Sequence, residues 1–372
     1  MLLVVRTRAA LDRLLDVLPV LADDLRIETW FTVVPGSEFA GGLVEELHRI
    51  GALVVDWVSV EPREFTFAVA ASEKGPLTEL GIPLLVLPHG AGPHKHAATG
   101  SGVSGEIAGL ARDELVADGA LVPDVVGLGH PDHLDLLRAR CPEAVARAEV
   151  IGDPCLDRLQ ASLPGRSAYR HALGVANERL VLVASTWGPE SLFGRHGKLP
   201  ADLVAALPDD HRVAAALHPN VWTRHGHLNL GHWTRSARTG GLLLAEPLGG
   251  WQAALVAADV VVSDHGSLAM YAAALGKPLL LAAFGRSEVV AGSRMAELGA
   301  RADHLLPGEP LRERIAAATS VPEHAKLIEN TFAPSGFARL RRVLHRELGL
   351  PEPSWPAAPP PVSARPWVDG FR

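Results

Sequence analysis

The sequence predicts an α/β protein with two doubly wound, Rossmann-like parallel-sheet domains and a cleft between them. Three observations support this fold class. The 372 residues exceed the length of one typical domain. Short apolar runs alternate with helical runs along the chain, as in parallel sheets that carry helices on both faces. The stretch Pro164-Gly165-Arg166 separates two such series, so we expect domains at residues 1–164 and 165–335, with functional loops at the carboxyl ends of their strands.

The first series contains seven apolar runs that predict strands. They lie at residues 2–5, 27–34, 52–60, 65–71, 82–87, 124–128 and 148–151. Helical patterns are found at residues 11–21, 43–50 and 156–162. Runs of this length that are rich in leucine and β-branched residues are typical of strands buried on both faces of a sheet.

The second series repeats the alternation. Its predicted strands lie at residues 180–185, 213–217, 242–245, 260–262 and 279–283. Its predicted helices lie at residues 169–173, 199–207, 251–257 and 268–275. The last helix is stopped by Gly276, and Pro278 opens the strand that follows.

The C-terminal part of the chain reads as a helix and a tail. A helical pattern over residues 323–348 is broken at Ala333-Pro334-Ser335-Gly336, and its second half predicts a basic amphipathic helix at 336–350. Such a helix either contacts an anionic lipid surface or packs on a domain with its arginines in water. The Pro-rich residues 351–372 predict an extended tail without a core of its own.

Composition and charge exclude several functional classes. The formal net charge of −7 argues against nucleic-acid binding, which needs a basic face. Two cysteines without metal-site spacing indicate a reducing compartment. We see neither a signal sequence nor an apolar run of about 18 residues. We therefore expect a cytoplasmic protein whose membrane contact, if any, is peripheral at the inner face.

The stretch 258–283 carries the clearest signal for a ligand site. Val260-Val261-Val262 predict a buried strand, and a polar turn follows that contains Asp264, His265, Gly266 and the helix-capping Ser267. A strand, a turn and a helix start in this order place backbone N–H groups and the positive helix end at one spot, which favours phosphate binding. The alternative is an ordinary βαβ unit whose turn is polar.

Three other predicted strands end in residues capable of chemistry. His89-Gly90 follows the strand at 82–87; the histidine is suited to act as a general base, or else hydrogen-bonds its own loop. Ser185 and Thr186 either hold a phosphate or belong to the cap of the next helix turn at Ser191. His218, when protonated, either balances a phosphate charge or only ends its strand.

A histidine-rich stretch raises the question of a metal. His225, His227 and His232 lack acidic or cysteine neighbours at regular spacing, so we interpret the stretch as a solvated loop. No G-x-x-x-x-G-K-[ST] motif occurs. We therefore expect no metal site and no P-loop.

Five of these motifs, in this order, resemble the CDP-glycerol glycerophosphotransferases, the teichoic-acid polymerase type of the GT-B superfamily. They are His89-Gly90-Ala91-Gly92-Pro93-His94-Lys95, Gly152-Asp153-Pro154-Cys155-Leu156-Asp157, Ser185-Thr186-Trp187-Gly188, His218-Pro219 and Asp264-His265-Gly266-Ser267. Three positions depart from the family pattern. Cys155 and Gly188 replace arginines, and Tyr271 replaces an acidic residue.

The resemblance implies a GT-B-like fold in which residues 1–164 face the acceptor and residues 165–335 bind the nucleotide donor. It implies a metal-independent transferase that moves glycerophosphate, or a similar polyol phosphate, from a nucleotide-activated donor such as CDP-glycerol. The acceptor would be a hydroxyl on a glycan, a polyol phosphate or a lipid-linked molecule in the synthesis of a cell-envelope polymer or secondary metabolite. His89 would be the catalytic base, and no cofactor is expected. The expected substrate and nucleotide contacts are Gly90, Ser185, Thr186, His218, Asp264, His265, Gly266 and Ser267.

Two further readings stay open because of the three departures. One is a nucleotide-sugar-dependent glycosyltransferase or 2-epimerase with the same fold. The other is a catalytically degenerate GT-B-like binding protein that keeps the site but has lost the reaction.

Overall fold

A computed structural model describes residues 1–99, 102–329 and 331–364. These residues form two compact units, the first from Met1–Asp157 with Thr331–Pro359 and the second from residues 158–329 with 360–364. Each unit contains one main parallel sheet, of seven strands in the first and six in the second. The predicted class of two Rossmann-like parallel-sheet domains is confirmed.

The strands of the first unit form its main sheet and two small hairpins. In chain order they are β1 (Leu2–Val5), β2 (Trp30–Val33), β3 (Leu53–Val54), β4 (Ala68–Ala70), β5 (Leu84–Val86), β6 (His96–Thr99), β7 (Gly102–Ile107), β8 (Val116–Ala117), β9 (Ala120–Leu121), β10 (Val125–Leu128) and β11 (Ala148–Val150). The main sheet has the spatial order β11-β10-β5-β4-β1-β2-β3. β6 pairs with β7, and β8 with β9, in antiparallel fashion.

The strands of the second unit form a single parallel sheet. They are β12 (Arg179–Ser185), β13 (His211–Leu217), β14 (Leu243–Leu244), β15 (Val260–Ser263), β16 (Leu279–Leu281) and β17 (Asp303–His304). Their spatial order is β14-β13-β12-β15-β16-β17. Val181, Val183, Val260 and Val262 lie at 0% exposure in the core of this unit, because helices cover both faces of its central strands.

Helices connect the strands in both units. They are α1 (Arg8–Val17), α2 (Leu43–Arg49), α3 (Arg112–Leu115), α4 (His133–Arg140), α5 (Pro154–Ser162), α6 (Arg166–Ala172), α7 (Leu192–His196), α8 (Leu199–Ala206), α9 (Pro219–Thr239), α10 (Trp251–Ala257), α11 (Ser267–Ala274), α12 (Arg294–Arg301), α13 (Leu311–Ala317), α14 (Pro322–Glu329) and α15 (Gly336–Glu347). None of the helices in the described ranges has the length and apolarity needed to cross a bilayer.

Two parts of the structure differ from the sequence expectations. The histidine-rich stretch is not a solvated loop, because His225, His227 and His232 lie in α9. This helix is interrupted at Gly226, whose φ of 75° and ψ of 152° are not helical. The predicted strand at 52–60 is realised only as β3, since Trp57–Ser59 form a 3-10 turn.

The basic helix α15 packs on the first unit. Its apolar residues Phe337, Leu340, Val343 and Leu344 are each 5% exposed or less. This is the arrangement of a helix that packs on a domain, and the apolar face is not available to a lipid surface.

A buried charged cluster fixes α15 to the segment after α1. The Arg26 guanidinium donates two hydrogen bonds of 2.7 Å to the Asp24 carboxylate. Nε2 of His345 donates to the same carboxylate at 2.9 Å, and Nδ1 donates to the Arg341 carbonyl oxygen. The hydrogen bonds from Arg26, together with that from His345, hold the pKa of Asp24 well below its usual range despite burial.

Asp24→Asn is therefore expected to destabilise the protein by about 2 kcal/mol at pH 7, less than for a fully buried pair because the Arg26 side chain is 41% exposed. A lowered pKa in the folded state means that this stabilisation is complete above the pKa of the unfolded carboxyl, about 4, and is lost as the pH falls further. Denaturant unfolding from pH 7 to pH 3 measures the difference. Asp23→Asn is the control, because Asp23 is exposed and its φ of 66° suits asparagine. If the free energies of unfolding of Asp24→Asn and the parent protein differ by the same amount at every pH, the assignment of a lowered pKa to Asp24 is contradicted.

Candidate functional site

The carboxyl ends of three neighbouring strands bring most of the predicted site residues of the second unit together. β13, β12 and β15 are adjacent and parallel, so Thr186, His218 and Asp264 follow their strands at one edge of the sheet. The His218 N–H donates to the Ser185 carbonyl oxygen at 3.0 Å. Gly266 lies against Thr186, since a Cβ on this glycine would be 3.0 Å from the Thr186 Cβ.

The buried Asp264 carboxylate connects the loops at this edge of the sheet. Its side chain is 0% exposed. Its carboxylate accepts the backbone N–H groups of Thr186 at 2.9 Å, Leu192 at 2.8 Å and Gly266 at 3.0 Å. The Ser185 hydroxyl oxygen lies 3.2 Å from the same carboxylate and 2.8 Å from the Thr186 carbonyl oxygen, the two acceptors available to its hydrogen. The structure therefore gives Asp264 the geometry of a positioning residue that holds the turns after β12 and β15 together.

The Ser185 hydroxyl is also engaged within the protein. Its oxygen accepts the Phe193 N–H at 2.9 Å, at the start of α7. Ser185 is 6% exposed, whereas Thr186 is only partly buried. The cap of α7 itself is Ser191, whose side chain accepts the Gly194 N–H. Of these two predicted residues, Thr186 is the less buried.

The buried His265 ring contacts the loop that follows β16. Its Nδ1 accepts the Gly285 N–H at 3.1 Å, so the ring hydrogen is on Nε2, which lies 2.8 Å from the Glu288 carboxylate. The ring is 0% exposed, while the Glu288 side chain is 18% exposed. This neutral imidazole fixes the Glu288 carboxylate at the surface. Glu288 is absent from the sequence predictions, because it is 23 residues away in the chain and carries no motif.

The helix after this turn begins one residue earlier than predicted. Gly266 occupies the N-cap position with extended backbone angles, and Ser267 is the first residue of α11 rather than its cap. Ser267 is partly exposed, and α11 has no acidic residue in its first turn. The positive end of α11 therefore lies at the same edge as Thr186 and is not neutralised by its own side chains.

His218 caps the neighbouring helix. Its Nδ1 accepts the Asn220 N–H at 3.1 Å at the start of α9. A ring nitrogen that accepts carries no hydrogen, so this ring is neutral with its hydrogen on Nε2. The expectation of a protonated His218 changes accordingly: in this geometry the ring offers a hydrogen-bond donor without a positive charge.

His89 and Gly90 lie in the first unit, at the carboxyl end of β5. The exposed His89 ring has its Nδ1 at 3.1 Å from the Ala71 carbonyl oxygen. A carbonyl oxygen only accepts, so Nδ1 carries the hydrogen and the lone pair is on Nε2. Gly90 has a φ of 121°, which only glycine adopts readily. The loop thus holds the imidazole in the tautomer that a general base needs.

Two of the three departures from the family pattern have a structural role, and the third, Cys155, is buried. Gly188 has a φ of 104° in the turn that leads to Ser191, a backbone conformation that an arginine would strain. Tyr271 is 3% exposed and stacks on Trp251 with ring centroids 5.8 Å apart. Burial raises the pKa of the Cys155 thiol well above its ordinary value.

A guanidinium nevertheless lies in the neighbourhood of Cys155. Arg13 of α1 forms a buried ion pair of 2.9 Å with Asp153, whose carboxylate also accepts the Cys155 N–H. Through the pair of Arg13 and Asp153, α1 is connected to the first turn of α5.

The absence of a metal stays a prediction. Within residues 1–99, 102–329 and 331–364, no group of three or more histidine, cysteine, aspartate or glutamate side chains is arranged to hold an ion. His225 instead lies 5.1 Å, ring centroid to ring centroid, from Trp233 of the same helix.

Comparison with known proteins identifies the fold. No family profile and no curated protein sequence matches the chain. The structure is similar to that of the wall teichoic acid polymerase TagF, with 14% identity, 94% of this chain and 89% of that chain covered, and a TM-score of 0.63. A variant of that polymerase soaked with CDPG has 14% identity, 94% and 88% coverage and a TM-score of 0.62.

A second kind of enzyme has the same fold. The UDP-GlcNAc 2-epimerase from Neisseria meningitidis, bound to UDP-GlcNAc, has 15% identity, 93% and 99% coverage and a TM-score of 0.55. At these identities the likeness shows the fold alone. The chain therefore has a GT-B fold, as the resemblance in sequence predicts.

Proposed function

We propose that this protein is a GT-B transferase that moves glycerophosphate, or a similar polyol phosphate, from a nucleotide-activated donor such as CDP-glycerol to a hydroxyl acceptor. The observation that supports it most is the start of α11 beside Thr186 and His218, on a turn that the buried Asp264 holds rigid. The similarity of the fold to a polymerase soaked with CDPG agrees with it.

The donor diphosphate would be bound at this edge of the second unit. The first-turn N–H groups of α11 and the Ser267 hydroxyl supply donors to phosphate oxygens. Thr186 adds a hydroxyl, and His218 adds the N–H of its Nε2. Because these groups are held before the ligand arrives, they stabilise the negative charge that develops on the leaving nucleotide.

The reaction is a substitution at phosphorus with His89 as base. Nε2 of His89 takes the proton of the acceptor hydroxyl, whose oxygen forms a new bond to the phosphorus that carries glycerol. The bond from that phosphorus to the bridging oxygen breaks, and its electron pair leaves with the nucleoside monophosphate. The helix end and the His218 N–H offset the charge of this leaving group.

A nucleotide-sugar glycosyltransferase or 2-epimerase is the second candidate. It is favoured by Gly188 and Tyr271, which replace charged residues of the glycerophosphotransferase pattern, and by the epimerase with the same fold. Such an enzyme would bind the donor diphosphate through the same contacts. Its donor would carry a different nucleobase, and a sugar in place of glycerol.

Cytidine nucleotides are expected to raise the melting temperature of the protein, because a ligand that binds only the folded state stabilises it. Ser267→Ala and His218→Ala should each weaken this binding about tenfold, since each removes one hydrogen bond to a charged oxygen. Thermal unfolding against CDP-glycerol, CDP, UDP, UDP-sugars and GDP-sugars measures it. Ser236→Ala, at an exposed position of α9, is the control.

The outcomes separate the candidates. Stabilisation by uridine or guanosine compounds instead of cytidine compounds would favour the glycosyltransferase or epimerase. Stabilisation by a nucleotide without any turnover would favour a degenerate binding protein. If no nucleotide shifts the transition, the proposed donor site is wrong.

A further inference from the structure

The turn between β1 and α1 carries two arginines on either side of a helix cap. Thr7 is the cap of α1, and its side chain accepts the Ala10 N–H at 3.1 Å. Arg6 precedes it and Arg8 is the first helical residue. α1 has ten residues and no acidic residue in its first turn, so no side chain of that turn offsets its positive end.

Neither arginine is neutralised by the protein. Among the described residues, no carboxylate lies within ion-pair distance of the Arg6 or Arg8 guanidinium, although most other arginines of the first unit have one. Nε of Arg8 is buried and has no hydrogen-bond partner. Burial lowers the pKa of Arg6, and the charge of the nearby Glu73 only partly opposes this. A partly desolvated charge without a partner lowers the stability of the folded protein. The presence of two such arginines in one turn therefore requires an explanation.

Each of the two guanidiniums lies close to a glycine of a neighbouring loop. A Cβ at Gly75 would lie 2.9 Å from Nη1 of Arg6, and a Cβ at Gly42 would lie 2.9 Å from Nη2 of Arg8. Gly75 follows β4 and Gly42 follows β2, and these are the two strands that flank β1 in the sheet. The loops on both sides of the turn thus give room to one guanidinium each.

We infer that the β1–α1 turn, with Arg6, Arg8 and the first N–H groups of α1, is a binding site for the phosphate group of a phosphate ester. Guanidinium groups bind phosphate through paired N–H donors, and a helix start adds backbone donors to the same anion. Lys74, a further cation on the loop after β4, is instead paired with Glu114 at 3.4 Å. The site belongs to the first unit, whereas the donor site on α11 belongs to the second.

The position of the turn relates the bound phosphate to His89. The loop of His89 follows β5, and β5 is two strands from β1. Neighbouring strands are about 4.8 Å apart, so the two loops leave the sheet about 10 Å from each other. Only the link between this phosphate and His89 rests on the proposed transfer. If that transfer is correct, the phosphate ester is the acceptor, and its reacting hydroxyl lies about 10 Å from its phosphate.

Titration of the full chain with sn-glycerol 3-phosphate and with inorganic phosphate tests the inference by calorimetry. Arg6→Gln and Arg8→Gln should each weaken binding at least tenfold, because each removes a charged hydrogen-bond donor. Arg63→Gln is the matched control: Arg63 is exposed, lies in the same unit and has no carboxylate partner among the described residues. Ser267→Ala alters only the proposed donor site, so the arginine-dependent part of the binding should persist in this variant.

The stability of the free variants gives an independent readout. Arg6→Gln and Arg8→Gln should melt at the same temperature as the parent protein or higher, because each removes an uncompensated charge. Phosphate-ester binding that is unchanged in both variants, that is lost in Ser267→Ala instead, or that is absent from the parent protein would overturn the inference. Arginine-dependent binding without any nucleotide binding would retain this site and reject only the proposed transfer.

A parallel arm separates the two sources of such a phosphate. Sedimentation with phosphatidylglycerol vesicles that is lost in Arg6→Gln would assign the site to a lipid headgroup. Binding of the soluble ester alone would assign it to a free metabolite.

Discussion

Replacing His89 by glutamine is expected to slow transfer roughly 100- to 10,000-fold without weakening nucleotide binding. Glutamine can still donate a hydrogen bond towards the Ala71 carbonyl oxygen, but it has no lone pair basic enough to take a proton from a hydroxyl. The measurement is the rate of nucleoside monophosphate release with whichever donor stabilises the protein, together with the affinity for that donor.

His96→Gln is the matched control for this experiment. His96 also lies in the first unit and also has its Nδ1 against a carbonyl oxygen, that of Glu106 at 3.3 Å. If both rings have only structural roles, His89→Gln and His96→Gln should change the rate of transfer to a similar extent. If His89 is the catalytic base, only His89→Gln should slow transfer strongly. Equal rates in the parent protein and His89→Gln would show that another group is the base.

Asp264→Asn is expected to destabilise the protein by about 4 kcal/mol. The amide nitrogen of asparagine donates where the carboxylate oxygen accepts, so the N–H groups of Leu192 and Thr186 would face a second donor. A buried backbone donor without an acceptor costs about 1 to 3 kcal/mol. For a unit of this size the melting temperature should fall by about 8 to 16 °C.

The substitution also separates positioning from ligand contact. Binding of the stabilising nucleotide should weaken together with stability, because the turns after β12 and β15 lose their common anchor. Asp209→Asn is the control, since Asp209 is exposed in the same unit. A stable Asp264→Asn variant that had lost only nucleotide binding would show that the carboxylate contacts the ligand directly.

The sheet that carries the site is predictable from the sequence, whereas the roles of individual side chains are less so. Strands such as β12 and β15 are continuous apolar runs, and their ends mark the loops. Apart from Gly266, the partners of Asp264 lie 72 to 79 residues away in the chain, so no local pattern indicates that its carboxylate is buried. His265 likewise owes its tautomer to the Gly285 N–H, 20 residues away, whereas the N–H that His218 accepts belongs to Asn220, two residues along the chain.

Two of the elements that the sequence analysis misses have weak or interrupted periodicity. α9 contains Gly226 and three histidines, and its Leu228 and Trp233 are 71% and 56% exposed, so that apolar residues lie on its exposed side as well as on its buried side. The hairpin of β6 and β7 is rich in small residues. Neither contains a predicted site residue.

The discontinuous first unit has a consequence for the order in which the chain folds. Gly336 lies so close to Asp153 that a Cβ there would be 2.6 Å from its backbone nitrogen. α15 then fills the core with Phe337 and Leu340 and supplies His345 to the Asp24 carboxylate. During synthesis on the ribosome, residues 1–157 therefore emerge long before their last helix. The second unit consists of residues 158–329 and a short segment at 360–364. Its sheet can therefore form before the C-terminal part of the first unit has been synthesised.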